Sequence, residues 1–223
     1  MNDEALCIDL YCGLGGWAEG FLSEGYRVIG FDIEAHDYGT GGYPGELILR
    51  DVRSIHGSEF RDATVIVASP LCQEYSYRAM PWKRAKALPP PSNELFDACF
   101  RIQREACEAA AHHIPLIVEN VRGAQKWVGR ARWSFGPYLL WGDVPALMPD
   151  FNGRKGFAGF KGFKDFHDCE AARKWSSRDP RRKQWSAEIA KIPFPLAQHI
   201  ARCFKPVPRP ATRLTSPDPE KSA

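Results

Sequence analysis

A chain of 223 residues, 44% hydrophobic and 26% charged, has room for one α/β domain with a sizeable core and a small appendage, and excludes two full domains. No apolar run approaches the roughly 18 residues of a membrane span. The opening MNDEALCIDLYCG passes from acidic residues directly into a strand pattern, so the expectations are no membrane partner, no cleaved leader and a cytoplasmic location. The cysteines at 7, 12, 72, 99, 107, 169 and 203 form no C-x-x-C pair, which points to reduced thiols rather than a disulfide framework or a metal site, and a net charge of +3 by itself implies no nucleic acid.

In chain order, strand patterns near 6–11, 27–32, 46–50, 64–68, 115–119 and 138–141 alternate with amphipathic stretches, the signature of an α/β fold around a parallel sheet. The first strand runs into Tyr11-Cys12-Gly13-Leu14-Gly15-Gly16 and a helix over about 17–24. Glycines at the carboxyl end of a strand let the backbone approach a ligand, although a purely structural turn gives the same pattern. Asp32 closes the second run and Asp51 the third, on the same sheet edge. Each is placed to accept hydrogen bonds from ribose hydroxyls or, alternatively, to cap the turn that follows.

The fourth run ends in Ser69-Pro70-Leu71-Cys72-Gln73-Glu74-Tyr75-Ser76 and the fifth in Glu119-Asn120-Val121. A lone cysteine at a buried strand end is usually a small core residue. Parallel strands share an edge, however, so this thiol and this carboxyl are delivered to one cleft beside the glycine turn, as covalent catalysis requires. Between them, a helix over 93–112 is read from Leu95, Phe96, Cys99, Phe100, Ile102, Ala106 and Ala109 at spacings of three and four, started by Pro89 to Pro91 with Ser92 or Asn93 as cap. His112-His113 at its end is explained by the helix dipole, and no metal is expected.

These residues resemble the cytosine-5 DNA methyltransferase family, with DLYCGLGGWAEGF as cofactor loop, SPLCQEYS as nucleophile loop and ENV as acid motif, over about residues 5–145. Among family members the chain is most similar to short phage or prophage forms with a much reduced recognition domain. The resemblance implies a Rossmann-like methyltransferase sheet and S-adenosyl-L-methionine held by Tyr11, Gly13, Gly15, Gly16, Asp32-Ile33, Asp51-Val52 and Pro70. It also implies Cys72 attacking C6 of a flipped cytosine, Glu119 protonating N3, Asn120 holding the acid loop and Arg132 at the cytosine O2. Double-stranded DNA is then the expected partner of a monomeric enzyme.

The chain departs from the family in Leu71, where a proline usually precedes the nucleophile, in Arg130-Ala131-Arg132 for the usual Gln-x-Arg-x-Arg, and in Lys191-Ile192-Pro193-Phe194-Pro195 for the late asparagine motif. Residues 1–149 are read as the catalytic and cofactor domain, 150–185 as a small basic Gly/Phe-rich recognition insert, 186–204 as a closing helix bent or started at Pro193 and Pro195, and 205–223 as a disordered proline-rich tail. The insert holds ten Lys/Arg against five Asp/Glu. Gln73, Ser76, Arg78, Lys83, Arg84, Arg181, Arg182 and Lys183 are the expected DNA contacts, the run 78–86 being either a solvated loop or a phosphate-binding one. An RNA cytosine-5 methyltransferase and a catalytically silent DNA-binding relative are the alternatives.

Overall fold

The computed structural model describes residues 4–37, 41–76, 87, 89–148 and 179–206, without the side chains of Pro180, Arg182, Trp185, Ser186 and Ile189. The expected basic run at 78–86, including Arg78, Lys83 and Arg84, lies outside these residues. So do the Gly/Phe segment of the insert and nearly all of the tail.

Seven strands form one sheet: β1 (Leu6–Leu10), β2 (Arg27–Asp32), β3 (Glu46–Leu49), β4 (Val65–Ala68), β5 (Leu116–Asn120), β6 (Trp133–Phe135) and β7 (Tyr138–Gly142). Their order is β3-β2-β1-β4-β5-β7-β6. The first five pair in parallel, whereas β7 runs antiparallel between β5 and β6. This is the Rossmann-like α/β sheet expected. β4 and β5 are buried along their whole length, as central parallel strands covered on both faces must be. The three-residue β6 escapes the sequence pattern because it is too short to show a period and is exposed at two of its three positions.

The alternation of β-strand side chains divides the core in two. Ile8, Leu10, Ile66, Leu116, Val118 and Trp141 face helix α2 (Glu94–Ala110), which follows the earlier helix α1 (Gly16–Ser23). On the other face Cys7, Val65, Val67, Ile117 and Leu140 meet α1 and the C-terminal helix. α2 starts as expected, with Ser92 Oγ accepting from the Glu94 N–H at 3.2 Å; Asn93 supplies no cap, because its side chain binds Tyr75 and Trp127 instead. One turn, α3 (Gln125–Val128), follows β5.

The single helix expected over 186–204 is two, α4 (Pro180–Ala190) and α5 (Phe194–Phe204). Pro193 and Pro195 break the helix, since a proline lacks the N–H and clashes with the preceding turn. α5 packs on α1, with the Tyr26 hydroxyl donating to the Ala201 carbonyl at 2.9 Å and Arg202 pairing with Glu24. Among the described residues no helix is long and apolar enough to cross a membrane.

Because β2 leaves β1 on one side and β4 flanks it on the other, the strand order reverses between β1 and β4. Open α/β sheets bind their ligands at the carboxyl ends of the strands beside such a reversal. The glycine turn after β1 and the cysteine loop after β4 both stand there.

Candidate active site

β1 reverses through Tyr11 at φ 56° and Gly13 at φ 50°, and the Gly15 N–H donates back to the Cys12 carbonyl at 2.8 Å. Asp32, at the end of β2, locks this turn: one oxygen accepts the Gly13 N–H at 3.0 Å and the other the Ile33 N–H at 2.8 Å. The turn's glycines divide by role. A Cβ on Gly13 meets nothing within 4 Å, so the backbone there is open to a ligand. A Cβ on Gly15 collides with Pro44, and one on Gly16 collides with the Ile192 backbone, so these two accommodate the chain's own packing.

The other residues expected at the cofactor edge are spread between open and committed positions. Ile33 is 67% exposed beside Asp32, whereas Val52 is buried. Asp51 takes the capping alternative: it accepts the Arg53 N–H and binds the Arg53 guanidinium, which holds its carboxyl below the usual range. The Tyr11 hydroxyl donates to the Leu95 carbonyl at 3.0 Å, committing that side chain to α2.

Sequence reasoning missed Asp9, although an acid inside the apolar run Cys7-Ile8-Asp9-Leu10 was its signal. Its side chain is fully buried on the α1 face of β1, accepts the Tyr43 hydroxyl at 3.0 Å through Oδ2, and leaves Oδ1 without a partner among the described residues. Burial pushes its pKa up to about 8; the Tyr43 bond opposes this rise and the charge of Asp32 adds to it. The group is therefore largely protonated at neutral pH.

The nucleophile loop is stapled to the acid strand. Asn120, buried at the end of β5, donates through Nδ2 to the Pro70 carbonyl at 2.9 Å, and its Oδ1 accepts the Val121 N–H at 2.8 Å. Pro70 thus contributes its carbonyl to the loop's support. Farther along, Ser76 Oγ donates to the Cys72 carbonyl at 2.9 Å and closes the loop on itself. Burial raises the Cys72 thiol pKa and the nearby Glu119 charge raises it further, against hydrogen bonding from Ser76.

Glu119 is buried on the α1 face of the sheet, and this desolvation pushes its pKa up to about 8, with a hydrogen bond from Ser69 holding it down. Ser69 Oγ in turn accepts the Trp17 indole N–H at 3.0 Å. Thiol and acid are close enough for charge on one to shift the other, and the acid carries a proton at pH 7.

Arg132 is not brought to this pair. It is exposed on the bend before β6, two strands from β5 and so about 10 Å across the sheet from Glu119. Gln73 is exposed beside the thiol. Arg181 and Lys183 are exposed at the start of α4, where Arg181 pairs with the capping Asp179. Among the described residues no cluster suits a metal ion. A cleft of about 620 Å³, lined by Phe96, Phe100, Arg104, Trp127 and Trp141, lies on the α2 face and contains none of the residues above.

No protein-family model matches the chain, and no curated protein matches it. Among solved structures it is similar to an E. coli prophage-encoded protein described as a DNA modification methyltransferase (TM-score 0.40, 20% identity, 56% of this chain and 34% of the other). It is also similar to the Dnmt2 methyltransferase of S. pombe (TM-score 0.38, 16% identity, 56% and 36%). A third likeness is to the Entamoeba histolytica methyltransferase EhMeth (TM-score 0.38, 17% identity, 56% and 40%). The matched part spans between a third and two fifths of the length of these proteins.

Proposed function

We propose that this chain is an S-adenosyl-L-methionine-dependent methyltransferase acting on carbon 5 of cytosine in double-stranded DNA, through a covalent bond from Cys72 to C6. The observation that carries the reading is the nearness of a thiol in the loop after β4 to a buried, proton-bearing carboxyl at the end of the adjacent β5, β4 being the strand that borders the reversal of strand order.

The residues fit the cofactor. Gly13 leaves the turn open, Asp32 stands beside it with Ile33 exposed, and Asp9 keeps on β1 a buried carboxyl oxygen that has no partner among the described residues. Gly13, Asp32 and Ile33 would hold it, with Gly15 and Gly16 shaping the turn and Tyr11, Asp51, Val52 and Pro70 supporting that edge. Bound there, it supplies an electrophilic methyl group.

The chain's own residues do the rest. Cys72 gives up its proton to solvent before it attacks C6, and a neutral Glu119 eases this by removing the nearby negative charge that holds the thiol pKa up. Glu119 then gives its proton to N3 as the ring takes up the sulfur's electron pair, and electron density rises at C5. Once C5 has been methylated, it loses its hydrogen as a proton to solvent, the pair left behind forms the C5–C6 double bond and expels the Cys72 thiolate, and Glu119 takes its proton back from N3. Asn120 acts by holding the Pro70 carbonyl, and with it the loop that carries the thiol.

A stacked base cannot reach a cleft of this kind, so the target is flipped out. Exposed Arg122, Lys126, Arg130 and Arg132 along 121–133, with Gln73, Arg181 and Lys183, are the groups offered to the phosphates.

The test is a duplex carrying 5-fluorocytosine, from which fluorine cannot leave as a cation. Wild-type protein with cofactor should give a denaturant-resistant adduct, and Cys72→Ser should give none. Trapping on tRNA but not on duplex would move the substrate to RNA. Absence of any adduct or methyl transfer, with cofactor bound, would overturn the reading.

A further inference from the structure

The nucleophile loop is held at a second point, beyond the thiol. Tyr75, three residues after Cys72, is buried on the α2 face, and its hydroxyl meets Asn93 Oδ1 at 2.9 Å and the Ser92 carbonyl at 3.3 Å. Glu74 beside it accepts the Ser92 N–H at 2.6 Å. Asn93 in turn reaches α3, its Nδ2 lying 3.3 Å from the Trp127 carbonyl. A backbone carbonyl only accepts, so the amide nitrogen must face Trp127 and the amide oxygen Tyr75, whose hydroxyl then donates.

Asn93 stands at the cap position of α2, where an asparagine side chain ordinarily accepts a backbone N–H of the first turn. Here it makes no capping bond and spans two other segments, while Ser92 Oγ accepts the Glu94 N–H. Leu71, directly before the thiol, is 55% exposed and lacks the fixed φ of a proline, so the residue next to Cys72 restrains it little.

We infer that Asn93 is a positioning residue for the nucleophile: by joining Tyr75 to the Trp127 carbonyl it fixes the far end of the Cys72 loop to the segment that follows the acid strand. The near end is fixed by Asn120 at Pro70, so the thiol hangs between two amide ties that lead to β5 and to its continuation. This common reference sets the thiol relative to Glu119. The inference rests on the proposed role of Cys72 as the nucleophile.

The test uses the full chain with Asn93→Ala, Tyr75→Phe, the two combined, and Ser92→Ala as a control that removes a helix cap and leaves the tie. Melting temperatures establish folding. One readout is the rate of adduct formation on the 5-fluorocytosine duplex at saturating cofactor. The other is the pH midpoint of Cys72 alkylation by iodoacetamide, located by mass spectrometry. With the tie cut, adduct formation should slow roughly ten- to hundredfold at unchanged cofactor affinity, because a displaced thiol is a misplaced reactant. The alkylation midpoint should fall toward the ordinary thiol value, since a loosened thiol gains water and moves away from the charge of Glu119. The double variant should be no slower than the slower single one, because both substitutions cut one chain of bonds. Ser92→Ala should lower the melting temperature and leave both readouts at wild-type values.

A folded Asn93→Ala protein that keeps the wild-type midpoint or, where wild-type protein is active, the wild-type adduct rate would overturn the inference. So would a double variant whose losses multiply, or a Ser92→Ala protein as impaired as Asn93→Ala. Should Asn93→Ala not fold, Tyr75→Phe, which keeps the ring, decides on the same readouts. Alkylation needs no turnover. If no protein forms an adduct yet the midpoint moves in the variants, the tie stands and the function falls. If wild-type protein forms the adduct and the variants match it, the tie alone falls.

Discussion

Two buried carboxyls on one face of the sheet make the protein's stability fall as pH rises, and replacing Asp9 by asparagine should remove about half of that dependence. In the folded chain Asp9 and Glu119 keep their protons to about pH 8, whereas their ordinary values are 3.8 and 4.5. Between about pH 5.5 and 7.5 the unfolded chain has therefore lost both protons and the native chain has kept both. Each group then contributes a slope of about −1.4 kcal/mol per pH unit, a figure set by the one-proton difference and not by the exact raised value. Their favourable contribution is fully present below the unfolded values and is lost as pH climbs to about 8.

The carboxyls pulled below their usual range, Asp51, Glu59, Glu105 and Asp179, act at more acid pH and leave this window clear. Urea unfolding followed by tryptophan fluorescence at pH 5.5, 6.5 and 7.5 should show wild-type stability dropping by about 3 kcal/mol per unit. Asp9→Asn should drop by roughly half as much per unit, and Asp9→Asn with Glu119→Gln should be nearly flat. Asp9→Asn keeps an acceptor for the Tyr43 hydroxyl, so packing is preserved. A wild-type profile that is flat or rising over this range, or an Asp9→Asn profile parallel to it, would refute the assignment of a buried proton to Asp9.

Asn120→Ala orphans the buried Pro70 carbonyl and should cost about 1–3 kcal/mol, with slower adduct formation at unchanged cofactor affinity by calorimetry. Gly13→Ala and Gly16→Ala should separate ligand approach from packing: the first lowers cofactor affinity with a small stability loss of about 1–2 kcal/mol, and the second lowers the melting temperature because its methyl meets the Ile192 backbone. Equal melting shifts in the two variants would contradict that division. Asp32→Ala should weaken cofactor binding by about one to two powers of ten and also loosen the turn whose Gly13 N–H it accepts, visible as faster amide exchange there.

Much of this molecule was legible in one dimension because its signals are local. Apolar runs bounded by glycine, proline and acids mark β1 to β5 and β7, since a central parallel strand must be apolar along its whole length. The same logic put Cys72 and Glu119 at strand ends, and parallel pairing is enough to bring such ends to one edge. The two prolines after Lys191 signalled a break that only the folded chain resolved into two separate helices.

Tertiary structure alone decided what depends on the neighbouring strand or on the opposite face of the sheet. It set the reversal of strand order between β1 and β4, which no run of residues encodes. It separated Gly13, open to a ligand, from Gly15 and Gly16, whose missing side chains make room for Pro44 and Ile192. It set Arg132 on the bend before β6, two strands away from Glu119. The protons of Asp9 and Glu119 were decided there too. A carboxyl's charge is fixed by the water and dipoles around it, and the indole, hydroxyl and apolar side chains that surround these two come from segments distant in the sequence.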